Sequence, residues 1–290
     1  MASKTSDFVA PATVIAREAG ALILSYFRRG VKTEYKGESG VDLVTDADRT
    51  SEELIVKRLR AAFPGHDIIG EEGTRTSGGS AGYRWYVDPL DGTTNFAHGF
   101  PVFCVSLGLE RVTADDQPGE LIAGVIYDPT RDELFTAERG QGAKLNGSPI
   151  QVSRTRTVGE SLIATGFPSK KRHENPNIHF YHEITLHSHG VRRAGSAALD
   201  LAYTACGRFD GYWEFNLNPW DTSAGILLVQ EAGGKVTQYN GAPFEIRTPR
   251  EILASNGLIH QELIEYFSRI FAHEVDDLPS VAEYVKQRYS

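Results

Sequence analysis

The run WYVDPLDGTTNF, from Trp85 to Phe96, constrains this chain more than any other stretch. An apolar strand ends there in two aspartates, Asp88 and Asp91, separated by Pro89 and Leu90. Strand ends expose side chains to ligands. A sharp turn between the two acids lets them converge on one point and leaves the Leu90 carbonyl as a neutral third donor, and hard oxygen donors of this kind suit magnesium. GTTNF follows at once, so a helix or turn beginning at Gly92 aims unpaired backbone N–H groups and the Thr93 hydroxyl at an anion. Metal and phosphate would share a corner. Taken alone, DPLDG is also an Asx-type turn capping a strand, and both readings stay open on these residues.

Two further acidic groups favour the chemical reading. Glu71 and Glu72 follow Gly70 directly after Ile68 and Ile69, so a short strand delivers carboxylates to a loop, with Glu72 read as a solvated turn residue. NPWDTSAG places Asp221 after Trp220 at a helix start, where an N-cap carboxylate can also bind a cation. Ser223, Ala224 and Gly225 permit close packing behind it.

Around these motifs the apolar spacing predicts a layered α/β chain. Phe8, Ala12, Ile15, Ala19, Leu22, Ile23 and Tyr26 recur at helical spacing between Pro11 and Gly30. After the polar run KGESG, Thr45 and Asp48 form a capping box opening a second helix to Phe63. YRWYV, VFCVSLGL, LIAGVIY and ELFTA are strands joined by turns such as DDQPG and DPTRD, so antiparallel pairing is expected, and Asn146-Gly147 predicts a further hairpin. The sequence turns polar from Gln151 to Gly159, which sets the expected boundary between an N-terminal half (1–152) and a C-terminal half (153–271), followed by a tail (272–290). The second half reads as a strand SLIAT, a polar histidine-rich region, a helix from Ser196 to Cys206, a strand FDGYWEF, a helix from Asp221 to Glu231, strands KVTQY and EILAS, and a last helix from Leu258 to Phe271. TSGGSAG, residues 76–82, reads as a flexible loop.

GEE, then DPLDGTTNF, then WD followed by EAGG, in this order and spacing, resemble the inositol monophosphatase family over nearly the whole chain, to about Phe271. One departure is Ser223, where the family usually has alanine or cysteine. The resemblance implies a sugar-phosphatase type αβαβα sandwich. It also implies that Glu71, Asp88 and the Leu90 carbonyl hold one magnesium, that Asp88, Asp91 and Asp221 hold a second, and that a third, looser ion lies near Glu71. Gly92 and Thr93 would receive the phosphate, and Thr93 and Asp48 would help Glu71 orient the attacking water. Asp91 and Asp221 would border the substrate, and Ala197 and Glu214 would touch the polyol. Gly195 and Ser196 open the same helix as Ala197. The implied substrate is myo-inositol monophosphate, with lithium inhibition and a homodimer.

The chemistry is coherent without the family: a phosphate dianion repels hydroxide, and paired cations neutralise it, acidify a water and stabilise the leaving alkoxide. No nucleophilic side chain is needed. A formal net charge of −8 over 290 residues, with no long basic run, lacks the footprint of a nucleic-acid binder. Bound cations would reverse that sign locally. No stretch approaches the roughly 20 apolar residues of a membrane span, and MASKTSDFVAP carries no signal-peptide core, so no membrane contact is expected and the cytoplasm is the expected address. Cys104 and Cys206 read as buried thiols, with a disulfide left open.

Weaker signals have plainer readings. His187 and His189 in HSHG lack a partner that would complete a zinc site. GQG at residues 140–142 reads as a turn, and Lys170, Lys171 and Arg172 as a solvated loop. Arg192 and Arg193 can face substrate or a second subunit. The rival substrates are fructose 1,6-bisphosphate, histidinol phosphate or a 3′-phosphonucleotide, and the rival role is that of a regulatory binding protein retaining the fold.

Overall fold

Phe8, Ala12, Ile15, Ala19 and Ile23 line one buried face of helix α1 (Val9–Arg29), with Leu22 and Tyr26 half-buried at its margin. Pro11 falls in the first turn, where its missing N–H costs no helical bond. The computed structural model describes residues 8–29, 33–36, 42–77, 82–113, 119–167, 175–247 and 251–275, and residues 280, 282 and 286 of the tail. Gly30, most of KGESG and of TSGGSAG, most of DDQPG, the Lys170–Arg172 run and most of the 272–290 tail lie outside the described residues.

Strands β1 (Thr33–Lys36) and β2 (Asp42–Thr45) form an antiparallel hairpin that the sequence reading passed over as polar loop. Helix α2 (Asp46–Ala62) starts as its capping box requires: the Thr45 amide donates to Asp48 Oδ2 at 2.7 Å and the Thr45 hydroxyl accepts from the Asp48 amide. Then follow β3 (Asp67–Gly70), β4 (Arg75–Thr76), β5 (Tyr83–Asp91), the short helix α3 (Thr93–Ala97), β6 (Cys104–Arg111), β7 (Glu120–Asp128), β8 (Glu133–Glu138), β9 (Gly142–Leu145) and β10 (Ser148–Ile150). They make an eight-stranded sheet in the order β10-β9-β8-β7-β6-β5-β3-β4. Its pairs are antiparallel except β3 with β5, and Asn146-Gly147 turns β9 into β10 as expected.

The second sheet comes from β11 (Leu162–Thr165), β12 (Gly190–Arg192), β13 (Gly211–Glu214), β14 (Lys235–Thr237) and β15 (Ile252–Ser255), in the order β12-β11-β13-β15-β14. Helices α4 (Asn177–His187), α5 (Ala197–Ala205), α6 (Pro219–Glu231) and α7 (His260–Phe271) cover its two faces. Three apolar clusters define the layers. One joins α1 and α2 to the eight-stranded sheet, a second joins the other face of that sheet to α5, α6 and the five-stranded sheet, and the third joins that sheet to α4 and α7. The chain is therefore an αβαβα sandwich.

Helix α4 lies in the histidine-rich region that showed no periodic signal. Two of its four buried positions are polar, Asn177 and Glu183 beside Phe180 and Ile184, which hides the helical stripe. Asn177 is satisfied: its Nδ2 donates to the Gly166 carbonyl at 2.6 Å and its Oδ1 accepts from Trp213 Nε1 at 2.6 Å. His187 pairs with Glu183 at 3.3 Å and packs on the Tyr266 ring. Both cysteines are free thiols, and Cys206 is half-buried where a buried one was expected.

Candidate active site

The end of β5 breaks its pairing with β6 between Asp88, opposite Ser106, and Asp91, opposite Cys104. That irregularity is the sharp turn the two acids need. Asp88 Oδ1 accepts the Leu90 amide at 3.0 Å, so the Asx-type turn is real and coexists with a carboxylate brought to the strand end. Ser51 of α2 donates to the Pro89 carbonyl at 3.0 Å and braces the turn from behind. Gly92 caps α3 with φ at 97°, in the left-handed region, and a Cβ there would come within 2.8 Å of the Val102 carbonyl.

Thr93, first in α3, donates its hydroxyl to Asp48 Oδ1 at 3.0 Å and lies 3.1 Å from the Leu90 carbonyl. Asp48 thus caps α2 with one oxygen and receives Thr93 with the other. It is completely buried, and burial pushes its carboxyl up to about 6 against the lowering bonds from Thr45.

Asp91 leans on the start of α5. Its Oδ2 accepts the Ser196 hydroxyl at 2.6 Å and the Ala198 amide at 2.7 Å, and the Ala197 amide also bonds to its carboxyl. Asp221 is not the N-cap that the sequence suggested. Asn218 is the cap, because Pro219 fits only the first helical turn and so starts α6 before Asp221. Asp221 is instead the third helical residue, and its Oδ2 accepts the Asn218 amide at 2.6 Å. Glu71 sits in the turn after β3, with its amide donating to the Val87 carbonyl at 3.1 Å. Glu214, which alone could be an exposed strand end, is buried and accepts the Tyr212 hydroxyl at 2.6 Å.

The electrostatics of this corner are one-sided. Burial and then the charges of Glu71, Asp91 and Asp221 hold the Asp88 carboxyl well above the usual carboxylate range. Burial lifts Asp91 against its bonds to Ser196 and α5. Asp221 is pushed up to about 8 by burial, with Asp91 and Glu214 adding to it, and Glu214 to about 7 by burial, eased by Tyr212 and by Arg193. Among the described residues no three His, Cys, Asp or Glu side chains stand in metal-holding geometry. The donor set nevertheless fits hard divalent cations: four carboxyls and a carbonyl, with acids raising one another, is the charge pattern a divalent ion relieves.

Several contributors escaped the sequence reading. Asn95 donates through Nδ2 to the Val102 carbonyl and to the Ala194 carbonyl, each at 2.8 Å, tying α3 to the connection between β12 and α5. Cys104 packs its thiol 3.9 Å from Asp91 Oδ2. Glu52, buried on α2, accepts the Glu72 amide at 2.8 Å and the Thr74 amide at 3.1 Å. Only Ser196 carried a signal, as a residue opening the helix.

A profile of the inositol monophosphatase family matches residues 4–272. The inositol-1-monophosphatase of Synechocystis is 46% identical over 253 residues, covering 87% of this chain and 85% of that protein. The Nus factor SuhB of Pseudomonas aeruginosa is 44% identical over 246 residues, covering 83% of this chain and 88% of that protein. Among solved structures, the inositol monophosphatase from Anabaena (Nostoc) superposes with a TM-score of 0.80 at 42% identity, over 95% of this chain and 98% of its own. With motifs, layers and relatives in agreement over most of its length, the chain belongs to the inositol monophosphatase family and is a phosphoric monoester hydrolase.

Proposed function

We propose that this enzyme hydrolyses a small phosphorylated polyol, myo-inositol monophosphate first, in a magnesium-dependent reaction at the corner between the two sheets. The observation that carries the reading is the cluster of acids at the end of β5, where the buried Asp88 carboxyl is raised further by the charges of Glu71, Asp91 and Asp221 and burial lifts Asp91 and Asp221 as well. Glu71, Asp88 and the Leu90 carbonyl would hold one ion, and Asp88, Asp91 and Asp221 a second. Bound magnesium supplies charge neutralisation of the phosphate and a more acidic water.

The chain's own groups do the rest. The backbone at Gly92 and Thr93 receives phosphate oxygens. Thr93, hydrogen-bonded to Asp48, orients the attacking water, and Asp48, poised at about 6, is matched to accept a proton near neutral pH. Ser196 and the Ala197 and Ala198 amides fix Asp91 so that it faces the ions in one orientation. Ala197 and Glu214 border the leaving polyol, with Tyr212 holding the Glu214 carboxyl.

Phosphate release from inositol phosphates, fructose 1,6-bisphosphate, histidinol phosphate and a 3′-phosphonucleotide, in magnesium, in chelator and with lithium, tests this. Magnesium-dependent, lithium-sensitive release from inositol monophosphate is expected. Faster turnover of another substrate would move the substrate reading, and silence across the panel would overturn it. The same reading takes the enzyme as a cytoplasmic homodimer, which sedimentation and fractionation check.

The relatives named Nus factor SuhB, at 41–44% identity, favour a second, regulatory binding role beside turnover. A specific partner retained by Asp88→Asn would support it. Loss of that partner with the site would make binding a consequence of the metal centre.

A further inference from the structure

The turn Gly70–Arg75 carries Glu71, yet turns of this kind move readily unless something outside them fixes the backbone. Here it is gripped from two sides. On the α2 side, the Glu52 carboxylate spans the turn, Oε2 on the Glu72 amide at 2.8 Å and Oε1 on the Thr74 amide at 3.1 Å. The approach is close enough that a Cβ on Gly70 would fall 2.3 Å from Glu52 Oε2, so a side chain at position 70 would push the Glu52 carboxylate off the turn. On the opposite side, Arg75 Nη1 donates to the Thr74 carbonyl at 2.7 Å and to the Gly70 carbonyl. Its guanidinium carbon stands 5.2 Å from the centre of the Trp220 ring. Trp220 directly precedes Asp221 in α6, and its carbonyl accepts the Ser106 hydroxyl at 3.3 Å.

The Arg75–Trp220 contact joins two pieces of chain separated by half the sequence. We infer that Glu52 and Arg75 are positioning residues that set the Glu71 turn, and that the Arg75–Trp220 contact locks this turn to the helix start bearing Asp221. Glu71 and Asp221, each on a different one of the two ions that share Asp88, would then stand in one fixed relation. Charge complementarity makes the clamp self-consistent: the turn's amides donate to an anion, a cation donates to its carbonyls, and the cation finishes on an aromatic face. The inference rests on the magnesium reading of Glu71 and Asp221 but names residues which that reading does not use.

Magnesium binding by titration calorimetry, with melting temperature recorded alongside, tests it on the full chain. Arg75 is exposed, so Arg75→Ala folds normally, and about tenfold weaker magnesium binding is expected, with a matching rise in the magnesium concentration for half-maximal phosphate release and little change in the substrate KM. Arg75→Lys keeps the charge without the fork and recovers only part of the loss. Glu52→Gln loses one acceptor against the turn and weakens binding by a similar factor. If Arg75→Ala and Trp220→Leu each weaken binding and the double variant is no weaker than the worse single one, the lock is confirmed. Fully multiplicative effects overturn the lock, and unchanged magnesium affinity in Arg75→Ala overturns the clamp. A wild-type chain that binds no magnesium is a separate failure, of the functional reading beneath.

Discussion

Strands β5 and β6 bury acids at both ends, and the two ends handle them in opposite ways. Near the start of β5, Glu110 is completely buried opposite Arg84. It accepts the Tyr86 hydroxyl at 2.8 Å, the Gly119 amide at 2.7 Å and Arg247 Nε at 3.1 Å, with Arg84 Nη1 at 3.8 Å. Four residues away along the same pair of strands, Asp88 feels the charges of Glu71, Asp91 and Asp221, all of its own sign. A buried charge met by arginines inside the chain belongs to the fold. One surrounded by other acids is complete only when a cation arrives from outside, which is why the second cluster and not the first reads as a site.

The sharpest way to break this contrast is to neutralise one acid at each end. Asp91→Asn or Asp221→Asn is expected to lower kcat/KM at least about a hundredfold while the circular dichroism spectrum stays native. Near-normal turnover in both would remove the metal assignment. Glu110→Gln is expected to cost about 3–5 kcal/mol in denaturant unfolding, since it removes the buried anion that Arg84 and Arg247 both face, and to leave turnover per folded molecule unchanged. Asp88→Asn in chelator is expected to melt no lower than wild type, because it removes repulsion.

Acidity sharpens the same contrast. Asp221 and Glu214 are raised to about 8 and about 7, so between pH 6 and 8.5 the folded, metal-free chain holds protons that the unfolded chain has released. Stability in chelator therefore falls as pH rises towards about 8, by on the order of 4 kcal/mol from pH 6, and saturating magnesium flattens the slope. A metal-free chain whose melting temperature is level or rises from pH 6 to 8.5 would show that these acids are not uncompensated. The smallest effect concerns Ser223, whose hydroxyl is buried without a hydrogen-bond partner in the space above Gly108. Ser223→Ala is expected to leave activity intact and to raise stability by up to about 1 kcal/mol in thermal unfolding.

Much of this site is legible in the chain because its elements carry local signals. Asp88, Asp91 and Thr93 lie in one run whose strand, turn and helix start follow from apolar texture, Pro89 and Gly92, and Thr45 with Asp48 forms a box readable at a spacing of three. Asp221 was placed on the correct helix but one role off, since Pro219 moves the cap back to Asn218. What the chain hides is contact at a distance. Glu52 looks like any acid on an amphipathic helix, and Arg75 like any loop cation, until folding brings one against the Glu71 turn and the other onto Trp220. Helix α4 was missed for a related reason: two of its four inward positions are polar, Asn177 meeting Trp213 and the Gly166 carbonyl and Glu183 meeting His187.

Calorimetric titration of magnesium into the wild-type chain and into Asp88→Asn, at neutral pH, tests the central claim most directly. Saturable binding to the wild type, weakened at least about tenfold by the single neutralised acid, is the result this account predicts. Equal binding to both proteins, or none to the wild type, would contradict it.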